Sequence, residues 1–154
     1  MLNVLVPHKG VPAGAYGLLE FYCPDPNCDC RRVMLSVREK QRPERVLASI
    51  NYGFDRDDEM AGPFLDPLNR QGRYAEALLD LIMATALRDK RYVRRLERHY
   101  DLVKQAAADP QHPAYQDLQS VLTDDAISFP VVQPARKSQK APSTTKRTGK
   151  RRKR

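Results

Sequence analysis

Strand-forming segments in the first half of the chain and helical patterns in the second predict an α+β protein. The strand-like segments lie between positions 16 and 52, and the helical patterns begin at position 74. Strands grouped ahead of helices pair with one another, so we expect a three-stranded antiparallel meander followed by two or three packed helices. The last 22 residues contain no Leu, Ile, Phe or Tyr, which predicts a disordered basic C-terminal tail.

Three segments have the composition of strands, at positions 16–23, 32–38 and 45–52. Every second residue of 32–38 from Val33 onward is Val or Leu, which is the period of a half-buried strand. The connections at 24–31 and 39–44 are short and polar, which favours hairpins between antiparallel strands. We therefore expect the connection at 24–31 to close the first hairpin.

Apolar residues at helical spacing predict two helices in the second half, and Pro113 opens a short third helix that runs through Leu122. Asp89 is a suitable N-cap for the second helix. The first stripe consists of Tyr74, Leu78, Leu81, Ile82 and Thr85, and the second of Val93, Leu96, Tyr100, Val103 and Ala107.

Charge divides the chain into a nearly neutral part and a basic part. Ten Lys and Arg residues lie at positions 136–154 without any acidic residue, whereas the other 17 face all 19 Asp and Glu residues and leave positions 1–135 at −2. We predict a leader at 1–14, a single metal-binding domain at 15–130 and the disordered tail at 131–154.

All three cysteines, Cys23, Cys28 and Cys30, lie within eight residues. Thiolates gathered on one tight turn are typical zinc ligands, so we predict a structural zinc site; buried or redox-active thiols are the alternative. The odd count argues against a secreted disulfide framework. The chain shows no signal-peptide pattern and no run of 18 apolar residues, so we expect a cytoplasmic protein without a membrane span.

A zinc site with three cysteines calls for a fourth ligand, or leaves one position open for catalysis. We select His99, because it lies beside the apolar stripe of the second helix and faces inward; a hydrogen-bonded core histidine is the alternative. The other candidates are His8, His112, Asp25 and Asp29.

Two charged groups near the cysteines have three interpretations each. The run at 55–59 contains four acidic residues, which bind a hard cation, act in acid–base chemistry or form a solvated loop. Arg31 and Arg32 stabilise thiolates, contact phosphate or protect a hairpin edge.

The pattern Y-C-x4-C-D-C-R-R-V at residues 22–33 resembles a family of small prokaryotic proteins of unassigned activity. The similarity continues more loosely to about residue 105, through Leu65-Asp66-Pro67-Leu68-Asn69 and Arg98-His99-Tyr100 among others. Some members of that family carry a SEC-C type zinc motif, where this chain has its basic tail. The resemblance implies metal binding and a cytoplasmic location, and it names no reaction.

These features predict a small zinc-stabilised binding module that contacts nucleic acid, for example ribosomal RNA, through its tail. The alternatives are a merely solubilising tail, a tail for an anionic membrane surface, a protein-interaction scaffold, or a metal-dependent enzyme with an open zinc position. We assign no catalytic residue. The predicted nucleic-acid-binding residues are Lys146, Arg147, Lys150, Arg151, Arg152, Lys153 and Arg154.

Overall fold

A computed structural model describes residues 1–123, and its first half forms one antiparallel sheet. The strands follow one another in chain order across the sheet, each antiparallel to its neighbour. The predicted tail at 131–154 and the end of the predicted domain lie outside the described residues. The strands are β1 (Leu2–Val4), β2 (Gly14–Phe21), β3 (Arg32–Glu39), β4 (Arg42–Gly53) and β5 (Gly62–Leu65).

The prediction of a three-stranded meander is wrong, because the sheet has five strands. The predicted segments at 32–38 and 45–52 lie in β3 and β4, and the one at 16–23 overlaps β2 but extends two residues beyond its end. The strands that were missed are the two at the edges of the sheet. β1 pairs with β2 over three residues only, and β5 is four residues long and contains Pro63. Short edge strands carry little periodicity, so their pairing depends on the neighbouring strand more than on their own sequence. The protein still belongs to the α+β class.

The helices are α1 (Ala75–Ala84), α2 (Lys90–Ala108) and α3 (Tyr115–Thr123), with a short 3₁₀ turn at Ala86–Arg88. The prediction that Asp89 caps the second helix is confirmed: its side chain accepts a hydrogen bond of 2.8 Å from the backbone N–H of Arg91. This bond satisfies one of the free N–H groups at the start of α2 and fixes where the helix begins.

The core lies between one face of the sheet and the helices α1 and α2. Alternate residues of β3 are fully buried, as the period of a strand with one covered face requires. α1 packs on β4 and β5, and α2 packs on β3. The packing brings α2 alongside the connection between β2 and β3, where the cysteines lie. The fully buried core residues include Val33, Leu35, Val37, Ile50, Leu78, Ile82 and Leu96.

Candidate metal centre

The cysteines lie in the connection between β2 and β3, which we call the cysteine loop (residues 22–31). Asp25 organises its first half, because its carboxylate accepts a 2.9 Å hydrogen bond from the N–H of Asn27 and its carbonyl accepts one of 3.2 Å from the N–H of Cys28. Asp at the start of a tight turn commonly makes such a side-chain bond two residues ahead. The turn brings Cys28 and Cys30 back towards Cys23.

The three cysteine sulfur atoms lie within 4.8 Å of one another, and all three side chains are half-buried free thiols. A tetrahedral zinc site with Zn–S distances of about 2.3 Å has sulfur atoms roughly 3.8 Å apart. The cluster therefore needs only small side-chain movements to reach that spacing. These three residues, Cys23, Cys28 and Cys30, form a group that can hold a metal ion.

Lys104 of α2 attaches the cysteine loop to the helix. Its ammonium group donates hydrogen bonds to the backbone carbonyls of Asp25 and Cys28, the second at 2.7 Å. It also lies 5.5 Å from the centre of the Tyr100 ring, one turn earlier on α2. The lysine thus bonds two carbonyls of the turn and brings a positive charge to the thiols.

The end of the cysteine loop is attached to the segment after β4. The N–H of Phe54 donates a 2.9 Å hydrogen bond to the carbonyl of Arg31, and the Arg31 side chain pairs with Asp55 at 3.0 Å. The Phe54 ring packs edge-on against Tyr100, with ring centres 5.8 Å apart. The segment after β4 and the helix α2 therefore both contact the loop, and one member of the acidic run is paired with an arginine.

The pKa values of Cys28 and Cys30 are shifted in opposite directions. Hydrogen bonds from the thiol and the backbone N–H of Cys30 lower the pKa of Cys28, and Cys23 and Lys104 act in the same direction. Burial raises the pKa of Cys30 to about 12, and its hydrogen bonds to the other two thiols contribute. A metal ion must therefore displace a proton from Cys30, which ties metal binding to pH.

His99, the selected fourth ligand, is not part of the group whose ligand atoms lie within 4.8 Å of one another. Its Nδ1 pairs with the carboxylate of Glu20 at 2.8 Å, and that carboxylate also accepts hydrogen bonds from Tyr22 and Arg95. The structure thus brings the three cysteines together and leaves His99 in a neighbouring polar cluster between β2 and α2.

None of the other candidates, His8, His112, Asp25 and Asp29, belongs to this group either, although the two aspartates lie in the cysteine loop. His8 pairs with Val11 through the backbone, and Nδ1 of His112 accepts a hydrogen bond of 3.1 Å from the N–H of Ala114. Asp29 is exposed within the loop. The predicted nucleic-acid-binding residues at 146–154 lie outside the described residues.

Sequence reasoning missed Lys104, which attaches the cysteine loop to α2, and Glu20, which attaches β2 to α2. Lys104 bonds to a carbonyl 76 positions away, and Glu20 pairs with a side chain 79 positions away. No local pattern signals such contacts, which become visible only in the folded chain.

No family model, no curated protein and no solved structure matches the chain. The resemblance based on the cysteine run therefore stays a prediction. Of the helices within residues 1–123, none combines the length and the apolar character that crossing a membrane requires.

Proposed function

We propose that this chain is a small binding module whose fold is stabilised by zinc bound to Cys23, Cys28 and Cys30. The observation that carries the proposal is the placing of three sulfur atoms within 4.8 Å of one another. Zinc is favoured because sulfur ligands in tetrahedral sites suit it. A structural role is favoured because the loop contacts both α2 and the segment that follows β4, so a bound ion would hold these parts of the fold together.

We also propose His99 as the fourth ligand. The support is its contact with Glu20, because a metal-binding histidine usually has one ring nitrogen held by a carboxylate while the other coordinates. Since His99 lies outside the group, coordination requires the ring and the cysteine loop to move towards each other. Without that movement, water or a group from another molecule completes the shell.

Metal analysis of the purified full-length chain tests the cysteine site. We expect about one zinc ion per chain, and Cys28→Ser and Cys30→Ser should lose it. Asn27→Ser is the matched control, because Asn27 lies in the same loop, is exposed and is not a candidate ligand, and this variant should keep its zinc. A wild-type chain that folds fully while holding no metal would overturn the proposal.

The fourth ligand is tested by competition with a zinc chelator. His99→Ala should bind zinc more weakly than either His8→Ala or His112→Ala, which remove the other two histidines. Because Glu20 would lose a partner in the first variant, its folding is checked by circular dichroism. Equal zinc affinity in all three variants would assign the fourth position to water, an aspartate or another chain.

We further propose that the basic tail contacts nucleic acid, with ribosomal RNA as one candidate. The support is its charge: ten cations without an acidic residue favour phosphate backbones through counterion release, without sequence preference. Replacing the seven cations of 146–154 by Gln should reduce the log–log salt slope of binding to duplex DNA by up to about six. An unchanged slope would exclude these seven residues as the contact.

A further inference from the structure

The described part of the chain is electrically neutral as a whole, but its charges are not evenly distributed. Residues 88–104, which include most of α2, contain seven Lys or Arg and three Asp or Glu, a net charge of +4. The rest of residues 1–123 contains ten basic and fourteen acidic residues, a net charge of −4. A concentrated charge of one sign creates a local potential that attracts a partner of the opposite sign.

Three arginines of α2 form the outer edge of this positive region, and we call Arg91, Arg94 and Arg98 the arginine ridge. They follow the spacing i, i+3 and i+7, which places them on one face of the helix over a length of about 10 Å. All three are exposed, whereas Leu96 and Tyr100 on the other side of α2 are buried. The ridge therefore faces away from the core.

None of the three ridge side chains has a hydrogen bond or an ion pair in the described part of the chain. Potential partners exist, because Glu97 and Asp101 lie at i+3 from Arg94 and Arg98. Arg95, which faces the sheet, is paired with Glu20 by contrast. The ridge thus presents three guanidinium groups that the fold itself does not neutralise.

We propose that the arginine ridge is a second surface for nucleic acid, which contacts the phosphate backbone of a duplex. Guanidinium groups pair with phosphate oxygens through two parallel hydrogen bonds, and the three arginines can reach neighbouring phosphates along one strand. The ridge includes no aromatic side chain on which bases would stack, so it recognises the backbone and not the sequence.

A duplex fits this surface better than an anionic membrane does. A helix that lies in a membrane surface inserts an apolar face among the lipids. The apolar face of α2 is already packed on β3, where Leu96 is fully buried. The ridge can therefore offer charge to a lipid surface but no apolar face for insertion. This surface is separate from both the cysteine cluster and the tail.

The test uses the full-length chain with all three ridge arginines replaced by Gln. We expect the log–log salt slope of binding to a labelled DNA duplex to fall by roughly 2.7, since each lost phosphate contact contributes about 0.9. The weakening should be similar for duplexes of different sequence, because the contact is to the backbone. Thermal unfolding checks that the variant is folded; exposed arginines without partners should contribute little to stability.

A control with the same loss of charge separates a specific surface from a general effect. Lys40, Arg45 and Arg56 are exposed, and their side chains have no ion pair or hydrogen bond within residues 1–123. Their triple Gln variant should keep a slope close to that of the wild type. Equal slopes for the ridge variant and this control would overturn the proposal.

Two further arms distinguish the ridge from other contacts. The variant with the seven cations of 146–154 replaced tests those tail residues alone, so a change in its slope without a change in that of the ridge variant would support the tail and overturn the ridge. Vesicles that contain phosphatidylserine test the membrane as partner. If the ridge variant lost vesicle binding but kept its affinity for the duplex, the surface would belong to lipid and the proposal would be wrong.

Discussion

Glu20 is the residue that connects β2 to α2 most directly. Its carboxylate accepts hydrogen bonds from Tyr22 and Arg95 and pairs with His99, although its side chain is only 13% exposed. A carboxylate withdrawn from water needs such partners, because its desolvation is otherwise uncompensated. The contacts hold α2 against the sheet through Arg95 and His99, which precede on the same helix the Lys104 that contacts the cysteine loop.

We expect Glu20→Gln to lower the free energy of unfolding by about 2 kcal/mol, because neutral bonds replace charge-assisted ones and an amide N–H₂ faces the donors. Urea unfolding at pH 7 measures the change. Glu44→Gln is the control, since Glu44 is exposed and has no side-chain partner in the described structure. This control should shift stability by less than about 0.5 kcal/mol. Equal midpoints for both variants would contradict the assigned role.

The hydroxyl oxygen of Tyr92 is buried, and it has no hydrogen-bond partner in the described part of the molecule. Burial raises the pKa of this tyrosine, and the charge of Glu20 acts in the same direction. The folded state therefore keeps the phenol proton at a pH where the unfolded chain has lost it. The resulting stability is fully present below about pH 10, the usual tyrosine value, and falls as the pH rises above it.

Tyr92→Phe should be neutral, or more stable by up to about 1 kcal/mol, at pH 7, because it removes an unsatisfied buried group. The ring stays beneath the Arg95 guanidinium, which lies 4.8 Å from its centre. The advantage over wild type should increase between pH 9 and pH 11, measured by chemical unfolding across this range. Tyr115→Phe on α3 is the control. A clear loss of stability of Tyr92→Phe at pH 7 would contradict this prediction, because it would mean that the hydroxyl makes a stabilising hydrogen bond.

The cysteine cluster was predictable because its geometry is local: Cys23, Cys28 and Cys30 are held on one turn by the short chain between them. The partners of Glu20 were not predictable, because its contacts join β2 to a helix more than 70 positions later. For His99, the helical pattern indicated an inward orientation but not whether a carboxylate or a cysteine lies opposite.

At the scale of the elements, the Gln71 side chain extends the sheet beyond the end of β5. Its amide oxygen accepts a 2.9 Å hydrogen bond from the N–H of Ser49, and its amide nitrogen donates to the carbonyls of Ser49 at 3.0 Å and Asp66 at 2.8 Å. The side chain thus offers the donor and the acceptor that a neighbouring strand would offer. Ser49 is buried, so these bonds satisfy groups that water does not reach freely.

Gln71→Ala should lower the free energy of unfolding by about 2 kcal/mol, because it leaves the buried N–H of Ser49 without this acceptor. Hydrogen exchange of the Ser49 amide should accelerate in the variant, more than that of amides in β2. Gln41→Ala is the matched control, since Gln41 is exposed in the hairpin between β3 and β4. Unchanged exchange at Ser49 would exclude the bond as a stabilising contact.

The predictability of the strands follows their burial. β3 alternates Val and Leu because one of its faces is buried in the core, and this period was visible in the sequence. β1 consists of Leu2–Val4 and β5 of Gly62–Leu65, segments too short to display a period against their surroundings. Gly53, at the end of β4, approaches the backbone so closely that a Cβ would lie 2.3 Å from the carbonyl oxygen of Met60, a constraint that only the fold reveals.

At the scale of the whole molecule, the net charge of residues 1–135 does not show that basic and acidic residues are concentrated in different segments. Residues 1–135 carry −2, which suggested that nucleic acid meets only the tail. The positive residues of the segment 88–104 lie mostly on α2, and the acidic excess lies on the rest of residues 1–123. The helical period determines which arginines share a face, but only the packing of α2 on β3 determines that this face is exposed.

The zinc proposal makes a prediction about the stability of the entire fold. The cysteine loop contacts α2 through Lys104 and the segment after β4 through Arg31, so an ion that rigidifies the loop stabilises both attachments. At free zinc of 100 times the dissociation constant, binding adds about 2.7 kcal/mol, which raises the unfolding midpoint on the order of 10 °C. Exhaustive chelation should reverse the increase, and zinc should leave the unfolding midpoint of Cys28→Ser unchanged.

Lys104→Met, which removes the charge and both carbonyl bonds, should unfold at a lower temperature than the wild type with zinc present. If neither zinc nor chelator changed the unfolding midpoint of the wild-type chain, any bound metal would be dispensable for folding.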